Sequence, residues 1–192
     1  MKIGVLALQG AFIEHVKMLR QLDVTAAELR LPHQLEDLDG LIIPGGESTT
    51  IGKLATEYGL MTPLRKFARA KPTWGTCAGM IFLAKDIGIE EQPILGAMDI
   101  AVDRNAFGRQ IDSFETDLKI AGLSPEPFHA VFIRAPVVTA VAQGVDVLAR
   151  LDDGRIVAVR QGHLLATAFH PELTKDLRLH SLFCAIVQGT LA

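Results

Sequence analysis

Short apolar runs alternate with stretches of helical periodicity up to about residue 90. The apolar run 3–8 predicts a strand, and the apolar residues after it recur at helical spacing: Phe12, Val16 and Leu19. The same order returns with the run 41–43 and a second helical stretch, which Gly59 is expected to end: Ile51, Leu54, Ala55 and Tyr58. This region therefore repeats a strand–helix unit.

A third unit begins with the short run 73–76, which ends at Cys77. Its helix is predicted from one apolar face, with Gly88 as the stop: Met80, Leu83, Ala84 and Ile87. Strands that alternate with helices favour an α/β protein whose sheet is largely parallel and covered on both faces.

The helical period fades between about residues 97 and 169. Runs 147–151 and 156–159, joined by Asp153-Gly154, predict two strands and a tight turn, and run 164–169 predicts a third strand. A final helix is expected before Gly189 from the spacing of Leu179, Leu182, Phe183 and Ile186. The predicted fold is a single-domain, flavodoxin-like, mostly parallel sheet with helices on both faces and antiparallel additions in the second half.

Composition and charge narrow the function classes. The chain has 192 residues, of which 49% are hydrophobic and 21% charged, so we expect one globular domain over residues 1–192. A net charge of -3 with dispersed Lys and Arg argues against a nucleic-acid ligand. No apolar run approaches the length of a membrane span, and Cys77 and Cys184 suggest neither a disulfide framework nor a metal site. We expect a protein of the reducing cytoplasm.

The segment Gly75-Thr76-Cys77-Ala78-Gly79 lies at a predicted strand-to-helix junction and is a cysteine version of the G-x-S-x-G nucleophile elbow. Glycine on both sides leaves room for the neighbouring strand and helix. A helix that begins at the thiol favours the thiolate, and the N–H of Ala78 points where an oxyanion would form. Taken alone, the motif also fits a small buried cysteine between glycines that allow close packing. Cys184 is expected to be an inert core residue.

A cysteine nucleophile needs a base, and His170 is the strongest candidate among six histidines. It ends a predicted strand, and Glu172 lies two residues later, within reach of the imidazole if the segment is extended. Glu172 then fixes the tautomer while the other ring nitrogen faces the thiol. His-Pro-Glu alone also fits a polar connection into a helix. Solvated or capping roles are expected for His15, His33, His163 and His180.

Two further features lie at predicted strand ends. The segment Pro44-Gly45-Gly46-Glu47-Ser48 offers backbone N–H groups to an anion but lacks the lysine of a P-loop, and it fits equally an ordinary turn with Ser48 as N-cap. Arg104 and Arg134 are each placed to hold a substrate carboxylate through two hydrogen bonds. Surface arginines usually have no such role.

These motifs together resemble the triad (class I) glutamine amidotransferases. Further blocks resemble the glutaminase-subunit family of pyridoxal 5'-phosphate synthases: residues 8–12 with Glu14 and His15, 44–50, 75–81, 104–110, 132–136 and 168–173. The blocks run from one end of the chain to the other and are more specific than the triad.

The resemblance implies a glutaminase that passes ammonia to a separate barrel-shaped synthase subunit, which makes pyridoxal 5'-phosphate; no cofactor is expected here. It implies Cys77 as nucleophile, His170 as base and acid, and Glu172 as the orienting residue. It further implies a glutamine site and an oxyanion hole. The glutamine site would comprise Gly46, Glu47, Ser48, Arg104, Ile133 and Arg134. The N–H groups of Gly46 and Ala78 would form the oxyanion hole.

Two other hypotheses remain open at this stage. A glutaminase that serves a different acceptor shares the triad, but the blocks around Arg104 and Arg134 argue against it. A non-catalytic subunit that keeps the fold is disfavoured by the intact Cys77, His170 and Glu172.

Overall fold

The computed structural model describes residues 1–106 and 113–190. Part of one block of the family resemblance, residues 107–110, lies outside the described residues. The strands are β1 Lys2–Leu6, β2 Thr25–Leu29, β3 Gly40–Ile43, β4 Thr73–Thr76, β5 Ala84–Asp86, β6 Met98–Asp103, β7 Ser113–Leu118, β8 Phe128–Ile133, β9 Val137–Val141, β10 Asp146–Arg150, β11 Ile156–Gln161 and β12 Leu164–Thr167. The helices are α1 Phe12–Gln21, α2 Ser48–Glu57, α3 Met61–Ala70, α4 Ala78–Leu83 and α5 Arg178–Gln188, with 3₁₀ turns at Pro32–Leu35 and Pro171–Leu173.

The main sheet has the order β2-β1-β3-β4-β12-β11-β9-β6-β5, and β10 pairs with β11. Its first five strands are parallel, whereas β11, β9 and β6 continue the sheet through antiparallel pairs. Strands β7 and β8 form a separate antiparallel pair. The parallel part has the flavodoxin-like order, with β12 in the place of the fifth strand. The predicted fold class is confirmed.

Helices cover both faces of the parallel strands. Right-handed crossovers place α1, which joins β1 to β2, on the opposite face from α2 and α3, which join β3 to β4. Side chains of β4 alternate between these layers. The Trp74 ring lies 5.0 Å from that of His180 in α5, whereas a Cβ on Gly75 would lie 2.3 Å from the carbonyl oxygen of Gly79 in α4. Helix α5 thus shares a face with the Trp74 side of β4, and α4 packs on the other.

Burial on both faces explains the uninterrupted apolar runs of the central strands. Every residue of β3, β4 and β12 is buried. Such strands cannot alternate between apolar and polar residues, because neither side chain direction reaches water. The hydrophobic core continues from Ile3 near one end of the chain to Ile186 near the other.

The structure corrects two sequence-based expectations about the fold. The helix after Cys77 ends at Leu83, and residues 84–86 form β5, in which Ala84 pairs with Met98 of β6. Pairing with a distant strand overrides the local helical period here. The run that begins at Leu164, expected as an antiparallel addition, pairs antiparallel with β11 but parallel with β4. It therefore belongs to the parallel sheet.

The carboxyl ends of β1, β3, β4 and β12 meet at one edge of the sheet. The strand order reverses between β1 and β3, because β2 lies to one side of β1 and β4 lies beyond β3. Ligands of open α/β sheets bind at such a point, beyond the carboxyl ends of the strands. The loop before α1, the loop before α2, Cys77 and His170 all emerge there.

Candidate active site

Cys77 occupies a strained turn between β4 and α4. Its backbone has φ 48° and ψ −105°, a positive φ that a residue with a Cβ rarely adopts. The turn is held from both sides: the Cys77 N–H donates to the carbonyl of Thr167 at 2.8 Å, and the Cys77 carbonyl accepts from the N–H of Met80 at 3.1 Å. The surrounding structure fixes the strained conformation, as expected for a nucleophile elbow.

The two flanking glycines are required by close backbone approaches. A Cβ on Gly75 would lie 2.3 Å from the Gly79 carbonyl oxygen, and a Cβ on Gly79 would lie 2.0 Å from the carbonyl oxygen of Ile43 in β3. Both obstacles are backbone atoms, which cannot move aside as a flexible side chain can. The elbow therefore packs against its own helix and the adjacent strand, as the motif predicts.

His170 and Glu172 contact each other through a 3₁₀ turn rather than through the expected extended segment. His170 is the N-cap of the turn Pro171–Leu173, and its Nδ1 lies 2.7 Å from Glu172 Oε1. The His170 N–H donates to the carbonyl of Val131 at 2.8 Å, which ties the turn to β8. With the ring proton on Nδ1, the imidazole donates to the carboxylate and presents Nε2 to Cys77, with which the ring also interacts.

The electrostatics of the site favour a charged imidazole. Burial alone would lower the pKa of His170, but the hydrogen bonds and negative charges of Cys77 and Glu172 outweigh burial and raise it to about 10. The Glu172 side chain is fully buried, so solvent screens its interaction with His170 only weakly. The arrangement is that of an imidazolium held between the Cys77 sulfur and a buried carboxylate.

The Gly-Gly loop after β3 lies against the loop that follows β1. The carbonyl of Gly45 accepts from the N–H of Ala11 at 3.0 Å, and the N–H of Glu47 donates to Gln9 Oε1 at 2.7 Å. Gly10 has φ 100°, and a Cβ there would lie 1.9 Å from the Gly45 carbonyl oxygen. Only glycine permits this approach. The two contacts anchor the peptide groups on either side of Gly46.

Glu47, rather than the expected Ser48, is the N-cap of α2. Its carboxylate accepts hydrogen bonds from the N–H groups of Thr49 and Thr50 at 2.9 and 2.7 Å, and one from the Thr50 hydroxyl at 2.6 Å. Partial burial would raise the pKa of Glu47, but these hydrogen bonds lower it to about 2. Glu47 therefore carries a full negative charge beside the loop.

Arg104 and Arg134 approach the same cleft from different strand ends. Arg104 follows β6, and its guanidinium lies 3.4 Å from the Thr49 hydroxyl and 3.8 Å from Glu47 Oε1. Its buried Nε has no hydrogen-bond partner among the described residues. Arg134 follows β8 with φ 42°, a second strained backbone in the same region.

These elements enclose one cleft of about 460 Å³. It brings together Cys77 and His170 with all the residues that the resemblance assigned to a glutamine site and an oxyanion hole: Gly46, Glu47, Ser48, Ala78, Arg104, Ile133 and Arg134. Gln9, Asn105 and Leu173 also line it, and sequence reasoning gave them no role. Glu172 does not line the cleft and contacts it only through His170.

The chain is similar to known proteins along almost its whole length. Residues 5–188 match the model of the SNO glutamine amidotransferase family. The chain belongs to this family. It is 60% identical over 190 residues to pyridoxal 5'-phosphate synthase subunit PdxT of Herpetosiphon aurantiacus, covering 97% of this chain and 100% of that protein. The PdxT of Moorella thermoacetica is 58% identical over 188 residues, with 97% and 100% covered.

Solved structures agree with the family membership. This amidotransferase superposes with a TM-score of 0.91 on a protein whose crystal structure is described as a glutamine amidotransferase, at 54% identity and with 97% of this chain and 98% of that chain covered. A putative GMP synthase component from Thermoplasma acidophilum has a TM-score of 0.72 at 18% identity, covering 99% and 95% of the two chains. The second similarity extends to the fold alone.

The expectation for two histidines of this amidotransferase was wrong. His15 and His180, expected to be solvated or capping, are fully buried. The signal was present for His15, because it lies at +3 from Phe12, in the apolar stripe that Phe12, Val16 and Leu19 define. Cys184 is buried as expected, and burial raises the pKa of its thiol to about 11.

The described ranges, 1–106 and 113–190, contain neither a metal-binding cluster nor a membrane-spanning helix. No group of three or more His, Cys, Asp or Glu side chains in these ranges is placed to hold a metal ion. No helix in the same ranges is long and apolar enough to cross a membrane.

Proposed function

We propose that the chain hydrolyses glutamine to glutamate and ammonia and delivers the ammonia to a synthase subunit that makes pyridoxal 5'-phosphate. One observation carries the catalytic part: a strained cysteine and a histidine–carboxylate pair emerge from adjacent strand ends into one cleft, with His170 Nδ1 2.7 Å from Glu172 Oε1. Family membership and the PdxT relatives support the substrate and the partner.

The first half-reaction uses Cys77 and His170. The Cys77 thiolate attacks the carbon of the glutamine side-chain amide, and the proton on His170 Nε2 passes to the departing nitrogen as the C–N bond breaks. The products are ammonia and a glutamyl thioester. His170 is then neutral, and its Nδ1–H still donates to Glu172 Oε1.

In the second half-reaction His170 acts as a base. The negative charge of Cys77 is one of the causes that raise the pKa of His170, and this charge disappears when the thioester forms. The pKa of His170 therefore falls in the thioester, and the imidazole can alternate between its charged and neutral forms. Neutral His170 takes a proton from water while the water oxygen adds to the thioester carbon. Cleavage of the C–S bond then regenerates the thiolate and releases glutamate.

Backbone N–H groups at the elbow and at the Gly-Gly loop would stabilise the oxyanion. Ala78 is the first residue of α4, so its N–H has no acceptor within the helix. Gly46 follows a carbonyl that is fixed by Ala11, and in a trans peptide its N–H points away from that contact. Loss of one such donor costs about 10²- to 10³-fold in rate in other enzymes.

Charges in the cleft suit an amino acid that carries both signs. The ionised Glu47 offers an acceptor to the substrate ammonium group, while Arg104 and Arg134 offer donors to the carboxylate. Ser48 and Ile133 complete the wall around the substrate side chain.

We also propose that residues 1–192 form one glutamine amidotransferase domain, supported by a core that spans from Ile3 to Ile186. A cytoplasmic location is proposed because a reducing compartment keeps the Cys77 thiol available.

A labelling experiment tests the proposed function. Glutamate release is measured with the synthase subunit present, before and after treatment with a glutamine-mimicking diazo ketone, and the label is mapped by mass spectrometry. We expect Cys77 to be labelled and glutamate release to stop. Labelling at Cys184, or glutamate release that survives full labelling of Cys77, would refute the assignment.

A further inference from the structure

The second carboxylate oxygen of Glu172 is not explained by the triad. Oε1 accepts from His170, but Oε2 is buried and makes no hydrogen bond among the described residues. A buried carboxylate oxygen without a donor is costly. His15 is an ionisable neighbour of this oxygen, with its Nε2 3.4 Å away.

His15 sits at the centre of a buried polar cluster formed by three elements. It belongs to α1 and is fully buried. Its Nδ1 lies 2.9 Å from Nε2 of His180 in α5, and its Nε2 lies 3.3 Å from the hydroxyl of Thr76 in β4. The edge of the Trp74 ring packs against both imidazoles. The cluster therefore joins the face of the sheet opposite α4 to the back of the triad.

Proton accounting selects one arrangement of this cluster. If His15 carried its proton on Nδ1, it would donate to His180 Nε2, and His15 Nε2 would turn a lone pair toward Glu172. His180 would then hold its own proton on Nδ1, a buried nitrogen that has no partner among the described residues. If both protons lie on Nε2, His180 donates to His15, and His15 donates to the Thr76 hydroxyl, with the same Nε2 lying 3.4 Å from Glu172 Oε2. Only an acceptor, His180 Nδ1, is then unsatisfied, and every N–H is used.

Both histidines are neutral, which keeps the single positive charge on His170. Burial, together with repulsion from His180 and His170, holds the pKa of His15 well below its usual range. Burial also lowers the pKa of His180 to about 3. The charged and titratable groups that face His15 are thus Glu172, His170 and His180. A neutral donor orients the carboxylate without competing with the imidazolium for its charge.

We propose that His15 is a positioning residue of the triad: its Nε2 N–H, set in place by His180, lies 3.4 Å from Oε2 of Glu172 and attracts this oxygen electrostatically, so that Oε1 stays aligned with His170. This inference rests on the proposed function of the triad. It extends the row of polar side chains that begins at Cys77 through Glu172 and His15 to His180. The role differs from a packing role because it depends on one N–H bond.

Two variants of His15 test the proposal. His15→Leu removes the donor, and we expect kcat for glutamine to fall about 10- to 100-fold with KM unchanged, the effect of removing the N–H group that faces a buried charged oxygen. The pH midpoint for alkylation of Cys77 by iodoacetamide should rise, because a misaligned Glu172 supports the thiolate–imidazolium pair less well. The side-chain amide of His15→Gln can donate from a comparable position. This variant should therefore restore most of the wild-type kcat and most of the wild-type pH midpoint for alkylation. His163→Leu is the matched control, since the His163 ring bonds the carbonyl of Ala68, outside the site.

A wild-type pH midpoint in folded His15→Leu, or equal losses in the Leu and Gln variants, would overturn the proposal. Nitrogen NMR of the histidine-labelled wild-type protein decides it independently of variant folding. Nε2–H tautomers of His15 and His180 support it, and an Nδ1–H tautomer of His15 contradicts it. Absence of glutamate release by the wild-type protein with its synthase subunit would instead refute the proposed function, while alkylation and NMR would still decide the role of His15.

Discussion

Replacement of Glu172 by glutamine isolates the charge of the carboxylate from its shape. The Glu172 side chain is fully buried, and its Oε1 lies 2.7 Å from His170 Nδ1. The amide oxygen of Glu172→Gln can still accept this hydrogen bond, so mainly the charge is lost. A hydrogen bond to a charged group contributes about 1.5–3 kcal/mol, and one between neutral groups about 0.5–1.5 kcal/mol. The difference of about 1–2 kcal/mol corresponds to a loss of about 5- to 30-fold in kcat.

The sign of the accompanying pH shift follows from the same contact. The wild-type pKa of His170 is raised to about 10, so the imidazolium persists up to that pH, and activity that needs it is lost above. Removing a negative neighbour disfavours the imidazolium. A change of about 1–2 kcal/mol moves the alkaline limb of the pH profile down by about 0.7–1.5 pH units.

The assay is glutamate release between pH 6 and about 11 in the presence of the synthase subunit, with His170→Asn as the comparison. Loss of the proton carrier costs about 10²- to 10⁴-fold, more than loss of the orienting charge. A larger loss in Glu172→Gln than in His170→Asn, or an alkaline limb that does not move, would refute the assigned roles.

Three further outcomes are expected. Cys77→Ala should abolish glutamate release and keep the wild-type circular dichroism spectrum, because alanine can occupy the same backbone conformation. Cys184→Ala should stay active. Activity in Cys77→Ala together with its loss in Cys184→Ala would make Cys184 the nucleophile instead of Cys77. Arg104→Ala or Arg134→Ala should raise KM about 10-fold or more, as for a lost charge-assisted contact, and unchanged KM in both would exclude carboxylate binding. The synthase subunit should raise glutamine turnover by stabilising the Gly45–Ala11 and Glu47–Gln9 contacts that orient the Gly46 N–H, and equal turnover with and without it would refute activation.

Local patterns predicted the parallel core because burial on both faces leaves a direct mark on the sequence. Strand β3 and the helix after it were recognisable from an apolar run and a 3.6-residue period. Helix α3 and strand β2 were not predicted. Strand β2 is Thr25–Leu29, an edge strand with little apolar character, so neither periodicity nor hydrophobicity distinguishes it.

The parts of the cleft in which a motif imposes the backbone geometry, as at Cys77, were predictable from the sequence. The parts that depend on contacts between elements distant in the chain were less predictable. The resemblance named Arg104 and Ile133, but nothing local places β6 and β8 near α2. His180 was misjudged because one sequence does not show that α1 and α5 meet on the same face of β4, whereas the apolar stripe of α1 did indicate the burial of His15. Such contacts depend on tertiary packing, which overrides the average behaviour of a histidine.

The pairing of β4 with β12 determines when the site can form as the chain is synthesised and folds. Thr76 pairs with Thr167, so Cys77 and His170 are neighbours only when two strands 91 residues apart in the chain have paired. Closing so large a loop is a late event compared with forming local helices. A nascent chain that has reached only β11 holds Cys77 without the His170 imidazole. The thiol can therefore gain this imidazole as a neighbour only after β12 and the turn that follows it have been made and have folded.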